Sequence, residues 1–175
     1  MITVRCTKLK KMGLIILKPN KLLYKNLSAF LALGFGTGLS KKAPGTIGTL
    51  VALPFFFFLQ LLPEYLIYLF IVTLFFVGVY VSDKTSQALG VSDPSSIVID
   101  EIVGFLLLLI QIAYPLIGTK ILITDYNFFL AFILFRIFDI WKPFPVNFLE
   151  QNYKGGFGIM IDDVGAAIYA YIIFI

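Results

Sequence analysis

The sequence predicts an all-α fold: a multi-spanning membrane bundle of about five apolar helices, with its polar motifs clustered at the cytoplasmic helix ends. Two observations of composition and one of pattern lead there. Hydrophobic residues make up 59% of the 175 and charged residues only 14%, with a mean hydropathy of +0.95. Soluble domains run at roughly 45–50% apolar and about 25% charged, so the chain departs from them in both directions. Nineteen Phe and nine Tyr exceed what a soluble core of this size hides, and hydrocarbon is their natural solvent. The pattern is a series of apolar stretches, each closed by turn residues.

The first stretch runs from about Ile47 to Leu62 and includes Phe55 to Phe58; Pro63-Glu64 ends it. The second runs from about Tyr65 to Val81, and a polar loop follows over 82–96. Within that loop Ser92-Asp93-Pro94-Ser95 is a helix-start signal. The third covers Ile97 to Pro115 and the fourth Phe128 to Trp141, stopped by Pro143-Phe144-Pro145. Lys154-Gly155-Gly156-Phe157-Gly158 precedes the fifth, Ile159 to Ile175. Each stretch is about 14 to 20 residues, at or below the ~20 that cross a ~30 Å hydrocarbon core. Buried helices of a soluble bundle are the alternative. No internal repeat or low-complexity linker appears, so the chain divides into a basic, interfacial N-terminal segment over 1–30 and one helical domain over 31–175.

Threading the helices up and down places the N-terminus and the loops 82–96 and 143–158 on one side. Of fourteen Lys and Arg, Lys120 alone falls on the other. The positive-inside rule then assigns the first side to the cytoplasm, in a multi-pass protein of the inner membrane. No acidic residue precedes Glu64, whereas Arg5, Lys8, Lys10, Lys11, Lys18, Lys21, Lys25, Lys41 and Lys42 do. Followed by apolar helices, this basic tail suits an anionic lipid surface better than nucleic acid. The apolar run Gly13–Leu17 is too short for a signal-peptide core, and Met12 is a second candidate start.

The chain has no histidine, and its one cysteine is Cys6. Histidine triads, phosphohistidine intermediates and His-ligated metals are excluded, and Cys6 has no second thiol. Hydrolysis must run on carboxylates, Lys, Arg, hydroxyls or a metal.

Four polar constellations meet on the cytoplasmic side. Asp100-Glu101 lies about one turn into the third helix, and Asp162-Asp163 in the first turns of the fifth. A single acid near a helix start complements the macrodipole. Two adjacent acids before an apolar run, placed twice, ask for more, because ionisable groups in apolar helices are costly and usually paired or functional. Arg136, Asp139 and Lys142, spaced i, i+3, i+6, share one helix face. They form either an ion-pair ladder or a metal carboxylate flanked by two phosphate-binding cations. Five carboxylates without imidazole suit a hard cation, Mg²⁺ foremost, which activates water and polarises a phosphoryl oxygen. Trp141 fits an interfacial anchor.

The segment from Gly34 to Thr49 is glycine-rich. Gly45, Gly48 and Ala52 form a small-residue stripe that permits close packing, and Thr46 or Thr49 suits a helix cap. On the functional reading, the helix-start N–H groups cradle a phosphate together with Lys41, Lys42, Gly45, Thr46, Gly48 and Thr49. The segment lacks the Gly-Lys-Ser/Thr ending of a Walker A loop.

Taken together, GLSKKAPGTIGTL, SIVIDEIVGF, FRIFDIWKPFP and GGFGIMIDDVGAA resemble, in order and spacing, the phosphatidylglycerophosphatase A family. The resemblance runs from about Leu31 to the C-terminus. It implies an all-α enzyme that uses Mg²⁺ to remove the terminal phosphate of phosphatidylglycerophosphate, a membrane phospholipid, giving phosphatidylglycerol. Carried over residue by residue, it implies site roles for Asp100, Glu101, Asp139, Asp162 and Asp163, with Lys142 in the WKP turn. A cation transporter or channel using the same carboxylates is the alternative, although transporter sites favour interrupted helices near the bilayer midplane.

Overall fold

The structure, a computed structural model, describes residues 18–23, 26–92, 94–116 and 121–175. Cys6, Met12, Gly13–Leu17, Asp93, Lys120 and most of the basic tail lie outside the described residues. Those described form α1 (Pro19–Leu23), α2 (Leu27–Ala32), a 3₁₀ segment (Gly34–Leu39), α3 (Pro44–Leu59) and α4 (Glu64–Leu89). Then follow α5 (Ile99–Ala113), α6 (Asp125–Trp141), α7 (Val146–Asn152) and α8 (Gly156–Phe174). No strand occurs among them, as an all-α fold requires.

Local chemistry sets most boundaries. Pro44 opens α3 at a position where its missing N–H costs nothing. The Thr124 hydroxyl caps α6 by accepting from Asn127 N at 3.3 Å. The second helix extends well past Val81, because Ser-Asp-Lys-Thr-Ser-Gln contains no breaker; it stops at Gly90, which takes the left-handed conformation. At 1.5 Å per residue α4 is about 39 Å long, so its polar last turns rise beyond an apolar layer of ~30 Å. The polar segment after Trp141 also differs from the expected loop, since it contains the short helix α7.

α5 is the axis of the fold. It packs against α8 and α3 and also touches α4 and α6. Eleven of its fifteen residues are buried. Phe105 at its middle meets the rings of Phe128, Phe132 and Phe135 from α6 at centroid distances of 5.6, 5.8 and 5.5 Å, a geometry that adds to simple area burial.

This arrangement corrects the expectation of about five spans. Among the described residues two helices, Glu64–Leu89 and Gly156–Phe174, are long and apolar enough to cross a membrane, and Pro44–Leu59 is a shorter apolar helix. The apolarity of α5 serves a protein interior, because neighbouring helices cover it. The outside of the bundle still presents Phe57, Phe58, Leu69, Phe76, Phe129, Ile168, Ile172 and Ile173 exposed. So large an apolar surface, on a bundle with two helices of spanning length, associates the protein with a membrane.

Candidate active site

One end of the bundle holds a cavity of about 270 Å³ lined by five elements. Ala43, Pro44 and Gly45 come from the start of α3, and Pro94, Ser95 and Ile97 from the approach to α5. Asp100 and Glu101 belong to the first turn of α5, Arg136 and Asp139 to the C-terminal turns of α6, and Asp162 and Asp163 to α8. Lys142 completes the wall. All five predicted carboxylates and both α6-derived cations therefore share one space, although they lie up to sixty-three positions apart in the chain.

Two glycines bring the walls together. A β-carbon on Gly104 would lie 2.9 Å from the Asp163 carbonyl oxygen and 3.0 Å from Asp163 Cβ. Gly104 follows Asp100 by one helical turn, so the close approach of α8 places Asp163 on the α5 face that carries Asp100. A β-carbon on Gly45 would collide with Glu101 Oε1 and come within 3.3 Å of Arg136 Nη1. The start of α3 thus closes directly over the Glu101 carboxylate.

Two of the acids make short ion pairs with cations, and Glu101 makes a longer one. Arg136 Nη1 donates to Asp139 Oδ2 at 2.5 Å and lies 3.9 Å from Glu101 Oε1. Lys142 Nζ donates to Asp162 Oδ2 at 2.5 Å, while Asp162 Oδ1 accepts from the Asp163 backbone N at 3.1 Å. This corrects the reading of Lys142 as the third residue of one α6 face. The helix ends at Trp141, and Lys142 takes the left-handed conformation at φ 46°, ψ 64°. Pro143 disfavours continuing the helix through Lys142. The turn carries the side chain across to α8. Ala43 is also left-handed, at φ 45°, and also precedes a proline, Pro44. Non-glycine residues rarely adopt this conformation, and both of these line the cavity.

The other three acids are a different population. Asp100 Oδ1, Glu101 Oε2 and Asp163 Oδ2 are buried without a hydrogen-bond partner. One carboxylate oxygen from each of these residues lies within 4.8 Å of the other two. Buried oxygens without donors are costly, and neighbouring negative charges compound the cost. A hard divalent cation held by one oxygen of each carboxylate would offset this charge, and an all-oxygen donor set suits Mg²⁺ or Mn²⁺ better than Zn²⁺. The residues present fit such an ion.

The predicted phosphate-binding set divides. Gly45, Arg136 and Lys142 line the cavity; Lys41, Lys42, Thr46, Gly48 and Thr49 are not among its lining residues. Lys41 and Lys42 are exposed. The buried Thr49 hydroxyl donates to Gly45 O at 2.8 Å. Gly48 packs on α5's approach, where an added β-carbon would lie 2.7 Å from Val98 Cβ. Trp141 is exposed and stacks on Phe138, outside the cavity.

Sequence reasoning missed Ala43, Pro44, Pro94, Ser95 and Ile97 as cavity residues. The segment 92–95 reads as a helix start, whereas α5 begins at Ile99. Residues before it are held by Ile97 N donating to Pro94 O at 2.9 Å and Val98 N donating to Ala32 O at 3.0 Å. The second of these bonds is invisible locally.

The phosphatidylglycerophosphatase A family matches residues 30–175. The chain is 41% identical to Phosphatidylglycerophosphatase A of Escherichia coli (strain K12) over 139 residues, 79% of this chain and 76% of that protein. It is 43% identical to Phosphatidylglycerophosphatase A of Haemophilus influenzae over 144 residues, covering 82% and 83%. A Bacteroides thetaiotaomicron protein, provisionally named a phosphatidylinositol-3-phosphatase, is 39% identical over 153 residues, covering 84% and 91%. No solved structure matches the chain.

Proposed function

The chain belongs to the phosphatidylglycerophosphatase A family, and from that premise we infer its reaction: hydrolysis of the terminal phosphate monoester of phosphatidylglycerophosphate to phosphatidylglycerol and phosphate. It is a phosphoric monoester hydrolase of phospholipid synthesis. The observation that carries this reading is a single cavity joining three unpartnered carboxylate oxygens to two cationic side chains. Neither half alone suffices for a phosphatase. The transporter reading is not favoured, because the carboxylates sit at one end of the bundle and two relatives are named as phosphatases of this lipid.

Asp100, Glu101 and Asp163 would hold Mg²⁺, which when bound supplies Lewis-acid polarisation of a phosphoryl oxygen and a more acidic water. Lys142 and Arg136 bind the phosphoryl oxygens, their part-burial strengthening the electrostatic attraction. Gly45, at the start of α3, leaves room for the Glu101 carboxylate against the helix start. The bundle spans the inner membrane with this end toward the cytoplasm, so that the lipid keeps its acyl chains in the bilayer while its headgroup enters the cavity. Lys41, Lys42, Lys84 and Lys154, all exposed, belong to the segments threaded to that side.

The test is phosphate release by purified full-length protein from synthetic phosphatidylglycerophosphate, with and without Mg²⁺, and with phosphatidylinositol 3-phosphate in parallel. Release from the first lipid that depends on Mg²⁺ supports the proposal. Release from the second lipid alone would replace the substrate, and release from neither would refute the reaction.

A further inference from the structure

The five carboxylates of the cavity are not equivalent, and the difference assigns two of them a separate task. Asp100, Glu101 and Asp163 each have a buried oxygen without a partner, and together they bring one oxygen apiece within 4.8 Å. In Asp162 both oxygens are engaged, Oδ2 by Lys142 Nζ at 2.5 Å and Oδ1 by the Asp163 N–H at 3.1 Å. Asp139 Oδ2 is engaged by Arg136 Nη1 at 2.5 Å. A second lone pair on each oxygen leaves metal ligation open to them, but a cation at 2.5 Å already offsets the charge of each of these two acids, and none lies so close to the other three.

We propose that Asp162 and Asp139 are positioning residues that hold Lys142 and Arg136 for the phosphate, while Asp100, Glu101 and Asp163 alone bind the divalent cation. This deepens the phosphatase reading and rests on it for the identity of the anion. Chemistry supports the split. An ammonium has three donors and a guanidinium five, more than a single carboxylate takes up. Each side chain is long and rotamer-rich, and fixing it before the lipid arrives lowers the ordering cost of binding. The left-handed turn at Lys142 has the same effect, because it directs the lysine off α6 toward Asp162 on α8. Arg136, 3.9 Å from Glu101 Oε1 as well, stands at the border between the two sets.

The experiment titrates Mn²⁺ alone into detergent-purified full-length protein by calorimetry, then measures competitive inhibition by inorganic phosphate. The decisive variants remove whole pairs, D162N/K142M and D139N/R136M, so that the net charge of the cavity is preserved. Both pair variants should keep Mn²⁺ affinity within about tenfold of wild type, the coupling that neighbouring groups outside the ligand set show. Asp163→Asn should weaken Mn²⁺ binding by ~30-fold or more, the loss expected when a buried charge contact is truncated. Asp162→Asn alone should raise the inhibition constant for phosphate and the KM for lipid by about tenfold. Asp162→Glu, which keeps the charge, should recover most of that loss. A D162N/K142M protein that loses Mn²⁺ as severely as D163N overturns the division, and so does an Asp162→Asn protein with wild-type affinity for phosphate. Absence of lipid hydrolysis by the wild type would refute the reaction instead, and the Mn²⁺ comparison would still decide the ligand set.

Discussion

Asp163→Asn separates a metal site from a structural cluster by the sign of its effect on stability. Asp163 is only 2% exposed, its Oδ2 has no partner, and one of its oxygens lies within 4.8 Å of oxygens of Asp100 and Glu101. Two unit charges at that distance repel by ~3.5 kcal/mol at an effective dielectric of about 20. The substitution relieves two such terms and supplies an amide donor beside the remaining carboxylates. Side-chain adjustment absorbs much of the gain, leaving about 1–2 kcal/mol, or roughly 2–8 °C in Tm for a chain of this length. With chelator present the variant should therefore melt above wild type. With Mg²⁺ at about a hundred times its Kd, wild type gains ~2.7 kcal/mol by linkage and the variant gains little, so the order reverses. The assay is intrinsic-fluorescence melting of full-length protein in one detergent at one scan rate, with lipid phosphatase activity alongside. Turnover should fall by orders of magnitude, since metal assistance is worth several kcal/mol and each ~1.4 kcal/mol is tenfold. A variant that melts below wild type in chelator, or that keeps the full Mg²⁺ shift, would refute the reasoning.

Other expectations follow from the same geometry. Gly45→Ala places a methyl against Glu101 Oε1; an overpacking cost of about 1–3 kcal/mol should appear as a ~10- to 100-fold loss of turnover with a fall in Tm of only a few degrees. Wild-type activity in that variant would show that Glu101 has room to spare. Exhaustive chelation should abolish lipid hydrolysis, and Mg²⁺ or Mn²⁺ but not Zn²⁺ should restore it, as an all-oxygen ligand set requires. Full activity in chelator removes the metal from the reaction. In a protein with Cys6 replaced, cysteines introduced at Lys84 and Lys154 should react with an impermeant thiol reagent from the cytoplasmic side alone. Labelling of either from outside would invert the orientation.

Much of the architecture was legible in the chain because its signals are local. Apolar runs closed by Pro63 and Pro143 mark where helices stop, whatever they pack against, and the structure places helices over all five runs. The boundary of α4 was misjudged because polarity was taken for a turn, although Ser82–Leu89 has nothing to break a helix. The meeting of the acidic motifs was equally legible, since helices threaded up and down bring alternate ends together. The family motifs pointed to the same residues.

The sequence by itself thus determined the helical class, the membrane-scale apolarity, the oxygen-only chemistry and the end of the bundle where that chemistry sits. Only the tertiary structure decided which apolar helices lie at the surface of the bundle and which are covered by protein. Leu and Phe satisfy either environment, so α5 reads like a span although its neighbours bury it. Tertiary structure also decided which acid meets which cation. Lys142 was expected to share a face with Asp139, and it instead reaches Asp162 on α8 through the turn before Pro143. Adjacent acids in a sequence look alike. Asp162 and Asp163 differ because one lies against a lysine twenty positions away, and the other is pressed against α5 by the missing side chain of Gly104. Such partnerships depend on distances between elements remote in the chain, which no local pattern encodes.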